Sequence, residues 1–124
     1  MQFKIDAKDQ YTVITPQKGI LDASLAADLA VECRMQSGSG SKNFIIDLET
    51  CQDVRKDFLL PFIELSSEYY EQEQSFVLTN PPAEMLRILK EEDAIDSLNT
   101  APTFIEAVDI ISMEILERDL FNEE

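Results

Sequence analysis

Two short runs, Phe44-Ile45-Ile46 and Phe76-Val77-Leu78, contain no polar residue that would give a strand a wet face. A strand that is apolar on both faces must be covered on both, as the inner strands of a helix-layered sheet are. The sequence therefore predicts buried strands over residues 43–48 and 75–79. The first leads through a polar turn at 49–57 into a helix-spaced apolar stretch from Phe58 to Tyr70. A strand that passes through a loop into a helix is where α/β proteins place working residues. The N–H groups of the helix's first turn are unpaired there, and its dipole favours negative charge. The functional edge is expected at residues 53–59.

The rest of the chain alternates around these runs. Phe3, Ile5 and Ala7 alternate with Lys4 and Asp6, and Tyr11, Val13 and Thr15 repeat the pattern after a turn at 8–10, which reads as a β-hairpin. Pro16-Gln17-Lys18-Gly19 breaks it. Asp22 is a candidate N-cap for a helix with Leu25, Ala26, Leu29, Ala30 and Cys33 inward, ending near Gln36 ahead of a Ser-Gly loop at 37–41. After Asn80-Pro81-Pro82, with Pro82 in its first turn, a short helix buries Met85, Leu86 and Leu89. Residues 95–98 suit a short edge strand. Thr103 opens a last helix with Phe104, Ala107 or Val108, Ile111 and Ile115 inward, and its acidic end at 112–124 is expected to fray or project. The order β-β-α-β-α-β-α-β-α predicts one α/β domain over residues 1–124, a mixed sheet with helices packed on it and a core at about 3–111.

Composition narrows the function. With 10 basic against 25 acidic side chains the net charge is −15, which opposes binding to nucleic acid phosphates or anionic membrane surfaces. No apolar run approaches the roughly 18 residues of a membrane span. The N-terminus shows no secretory pattern, so a cytoplasmic protein is expected. The chain has no histidine, hence neither the commonest general base nor the commonest transition-metal ligand. Cys33 and Cys51 are expected as buried thiols; Cys51, near Arg55 and Lys56, is the one candidate for a reactive thiol. Asp22, Asp47, Asp53 and Asp57 fit no metal-loop spacing, and residues 37–42 precede a strand instead of joining strand to helix, the wrong context for a phosphate loop. No catalytic residue, metal or cofactor is assigned.

Three segments carry a family resemblance. Gly19-Ile20-Leu21-Asp22-Ala23 resembles the Gly-x-Leu-Asp-Ala entry to the first helix of STAS domains. These are the fold of anti-sigma factor antagonists and of the cytosolic ends of sulfate transporters. Ile45-Ile46-Asp47-Leu48 resembles their Val-Leu-Asp-Leu strand, and Phe76-Val77-Leu78 with Pro81-Pro82 and Leu86 to Leu89 resembles their fourth strand and following helix. In antagonist members the Asp-Leu pair is followed by Asp-Ser-Ser-Gly, whose serine a partner kinase phosphorylates. Counting from Asp47-Leu48 without a gap, the corresponding residues here are Arg55-Lys56-Asp57-Phe58, with the serine position at Lys56. No hydroxyl lies between Cys51 and Ile63, so the family's switch is not expected at this site.

The resemblance implies a bacterial, non-enzymatic signalling protein that regulates transcription by binding an anti-sigma factor or a related kinase-type regulator. Docking is expected through Asp53, Arg55, Lys56, Asp57, Phe58 and Leu59. Asp57 would imitate the phosphate in part, or simply oppose a helix dipole. One of Phe58 and Leu59 is expected at the surface if both are not core. Two alternatives accompany this reading: a STAS module binding a nucleotide or lipid, and a structural domain that forms a homodimer through residues 3–7 or the last helix.

Overall fold

The computed structural model describes residues 2–17 and 19–122. Met1, Lys18, Glu123 and Glu124 lie outside the described residues, so the expected break at 16–19 and the expected acidic end at 112–124 are described only in part. Strands β1 (Phe3–Ala7) and β2 (Thr12–Pro16) form the expected antiparallel hairpin, with Ile5 opposite Ile14, closed by a bond from Lys8 N to Tyr11 O. Strand β4 (Phe44–Asp47) then lies parallel to β2, β6 (Phe76–Thr79) parallel to β4, and β7 (Thr100–Ala101) parallel to β6. The sheet order is β1-β2-β4-β6-β7.

Alternate side chains of the inner strands feed two separate cores, which is why these strands had to be apolar throughout. Ile14, Phe44, Ile46, Phe76 and Leu78 meet helices α1 (Ala23–Gly38), α2 (Leu59–Glu71) and α3 (Ala83–Glu91). Val13, Ile45 and Val77 point the other way, where Ala107 and Ile111 of α4 (Phe104–Asn122) cover them. One helix therefore covers a face opposite to that covered by three.

A polar cluster ties α4 to the starts of the strands. The Glu114 carboxylate accepts from Tyr70 Oη at 3.0 Å, Ser75 Oγ at 2.6 Å and Asn99 Nδ2 at 3.1 Å. One turn on, Arg118 donates to Asn43 Oδ1 at 3.2 Å and to Ser75 Oγ at 3.1 Å. At the other end of the helix, Thr103 Oγ1 accepts from Glu106 N, so Thr103 does open α4.

Several expectations need correction. Residues 95–98 form turns, not a strand: Asp93, with φ 54°, ends α3, and Leu98 reaches the core from a turn. Pairing with β6 starts only at Asn99 O, which accepts from Leu78 N. Helix α1 continues through Gly38, so only 39–41 of the Ser-Gly segment is loop. In α3 the third buried residue is Ile88, with Leu86 half-buried, and Pro82 is the N-cap instead of a first-turn residue. In α4, Phe104 is exposed apart from an edge-on contact with Tyr11. The order also gains two strands invisible in the sequence, β3 (Ile20–Leu21) and β5 (Asp53–Val54), paired in parallel as a separate small sheet.

Candidate functional site

The small sheet sets the geometry of residues 53–59. Gly19 O accepts from both Gln52 N (3.1 Å) and Asp53 N (3.0 Å), and Leu21 O accepts from Arg55 N at 2.8 Å. Thr50 Oγ1 closes the near side by donating to Pro16 O at 2.6 Å. The chain passes so close here that a Cβ on Gly19 would lie 2.4 Å from Thr50 O, which is why the entry to α1 carries glycine. A single 3-10 turn, Lys56–Phe58, then delivers the chain into α2. The segment is a braced rim between two helix starts, not a free loop.

Each residue singled out in the sequence has a definite place on this rim. Asp22 caps α1 as expected, accepting from Leu25 N at 2.9 Å. Asp57 Oδ1 accepts from Ala23 N at 3.3 Å, so its carboxylate serves the start of α1, across the rim from its own helix. Lys56 is exposed and meets Glu92 Oε1 at 2.7 Å; that carboxylate holds the ammonium above its ordinary range and links the rim to the end of α3. Asp53 and Arg55 are exposed and Leu59 is half-buried. Phe58 has no exposed surface and packs edge-on to Phe62 at 6.1 Å, so it positions the rim from below and offers a partner nothing to touch. The apolar side chain that does face outward is Leu60, 63 % exposed, which the sequence reading missed. Its spacing gave a signal: on a helix that buries Phe58, Phe62 and Leu65, residue 60 falls on the opposite side.

Cys51 and Asp47 each have a definite setting beside the rim. Cys51 is buried, and burial pushes its thiol up to about 11, the reverse of activation by Arg55 and Lys56. Among the described residues, no group of three or more His, Cys, Asp or Glu side chains could hold a metal. Asp47, the fourth candidate acid, accepts from Glu49 N at 3.1 Å and Asn80 Nδ2 at 3.0 Å, so it organises its own turn. From β2 outward the strand order never reverses. No helix among the described residues is long and apolar enough to cross a membrane.

No family model and no curated protein matches this sequence. Solved structures do match in shape. TM1081 of Thermotoga maritima superposes with a TM-score of 0.73 at 15 % identity, covering 90 % of each chain. A Ser-to-Glu variant of RsbS from Moorella thermoacetica gives 0.71 at 22 % identity, covering 95 % of this chain and 99 % of that one. An anti-sigma-factor antagonist (STAS) domain protein from Planctomyces limnophilus gives 0.58 at 18 % identity, covering 89 % and 97 %. The chain has the STAS-domain fold. The hairpin, the braced rim and the lone helix on the second face are thus parts of a STAS architecture. The family motifs Gly19-Ile20-Leu21-Asp22-Ala23 and Asp47-Leu48 lie at the entry to α1 and at the end of β4. Lys56, where the gap-free count expects the serine position, is the first residue of the 3-10 turn.

Proposed function

We propose that this STAS domain is a protein-binding regulator without turnover, and that it docks a partner through the rim formed by Asp53, Arg55, Lys56, Asp57, Leu59 and Leu60. Phe58, from the same segment, belongs to the support. The observation that carries the reading is Leu60, an apolar side chain standing outward from a braced backbone among exposed charges. An apolar anchor with a charged surround is the arrangement that concentrates binding energy at protein interfaces. Support from likeness comes from the STAS structures whose names describe anti-sigma factor antagonists. An anti-sigma factor or kinase-type regulator is accordingly the proposed partner class, and the cytoplasm the proposed setting.

Serine phosphorylation has no acceptor at this rim, since residues 52–62 contain no hydroxyl. Lys56, bridged to Glu92, gives the position a cation in place of a serine, so docking is constitutive and not switched there. The test is capture of partners by the intact chain, by Leu60→Asp and by Lys56→Ser. The expected result is a partner held by the intact chain and lost with Leu60→Asp, with the circular dichroism spectrum unchanged. A partner set identical for all three proteins would remove the rim as the docking surface.

A further inference from the structure

We propose that the outer face of α4 is a second docking surface, fitted to a cationic amphipathic helix of another protein. Ile105 (72 %), Met113 (62 %), Leu116 (60 %) and Leu120 (59 %) are all exposed, although Ala107 and Ile111 already supply the helix's buried side. At about 100° per residue these four fall within an arc of about 80°, turned away from the sheet-facing side chains. A solvated helix needs no second apolar face, and an exposed apolar patch of this kind marks an interaction surface.

The charges on the same helix choose the occupant. Glu106 and Glu117 lie along one side of the stripe, Asp119 along the other, and Asp109 interrupts its middle; all four are exposed. None of them has an ion pair among the described residues. The helix has one cation, Arg118, and it is turned to Asn43 and Ser75. A second copy of this chain would set these acids against their own kind, with −15 on each partner. A helix with Lys or Arg flanking an apolar stripe would instead cover the leucines and neutralise both rims. Asp109 then meets a partner cation at the centre of the seam. This surface lies on the face of the sheet opposite to α1, α2 and α3, so it is distinct from the rim at Leu60.

The probe is a synthetic peptide of Lys and Leu ordered to give one apolar helical face. Its control has the same composition scrambled so that charge is kept and the face is lost. Titrated by fluorescence anisotropy against the full chain, the ordered peptide is expected to bind about tenfold or more tightly than the scrambled one, a difference of about 1.4 kcal/mol. Leu116→Ser with Leu120→Ser should remove that difference, Asp109→Asn with Glu117→Gln should weaken both peptides, and Leu60→Asp should change neither. All the substituted side chains are exposed, so thermal melts should stay near the parent's. Equal affinity for the two peptides, or a double-serine variant that keeps the preference, would overturn the proposal. So would concentration-dependent dimerisation that the same serine pair abolishes, because the occupant would then be a second copy.

Discussion

Single residues decide how firmly the rim is held. Phe58 fills a site with no exposure, and Phe58→Ala should cost about 3–5 kcal/mol in urea unfolding, as loss of a buried ring usually does. The same change at an exposed docking residue would leave stability almost untouched, so the measurement separates support from contact. Gly19→Ala brings a methyl against a backbone oxygen that cannot swing aside, and should destabilise by about 1–3 kcal/mol. The thiols make a pH prediction. Burial pushes Cys33 up to about 12 and Cys51 to about 11, from an ordinary 9.0. Below pH 9 folded and unfolded chains both keep these protons, and stability is unaffected. Above it the unfolded chain loses them first, so stability should fall as pH rises through the folded values. Neither thiol should react with a disulfide reagent at pH 8 until denaturant is added; fast reaction of the native protein would show Cys51 accessible after all.

At the scale of elements, three helices end in the same way with different residues. Beyond α1, Gly40 (φ 106°) takes the left-handed position while Ser41 N bonds back to Gln36 O. Beyond α2 and α3 the same place is held by Glu73 (φ 61°) and Asp93 (φ 54°), with Gln74 N bonding to Tyr69 O and Ala94 N to Leu89 O. Left-handed backbone strains an L side chain, and both acids are exposed. Glu73→Gly and Asp93→Gly should each raise stability, by up to about 1 kcal/mol, in denaturant unfolding. Helix α4 depends instead on its polar clasp. Glu114→Leu leaves Tyr70, Ser75 and Asn99 without their shared acceptor and should cost about 1–3 kcal/mol. Glu117→Leu, one turn away and exposed, is the control that should cost far less.

Across the whole molecule the dominant long-range feature is charge. A net −15 on a domain this small makes the folded state repel itself, and salt screens that repulsion. The thermal midpoint should therefore rise between about 0.01 M and 0.5 M NaCl, as the screening length falls from about 30 Å to a few ångströms. A midpoint that falls with salt would mean that local pairs such as Lys56 with Glu92 outweigh the net repulsion.

The hairpin, the two buried inner strands, the cap at Asp22 and the inward face of α1 were legible from hydrophobic spacing and turn residues. Those signals are local: a strand apolar on both sides or a carboxylate before a helix declares itself within a few residues. What tertiary structure alone decided is everything set by pairing between distant segments. The β3–β5 pair exists because Ile20 and Leu21 meet Asp53 and Val54, and two residues are too few to show a period. That pair sends Asp57 to the start of α1 and drops Phe58 into the core. The sequence could name the segment that matters. Which side of it faces water depended on backbone bonds to Gly19 and Leu21, residues far away in the chain.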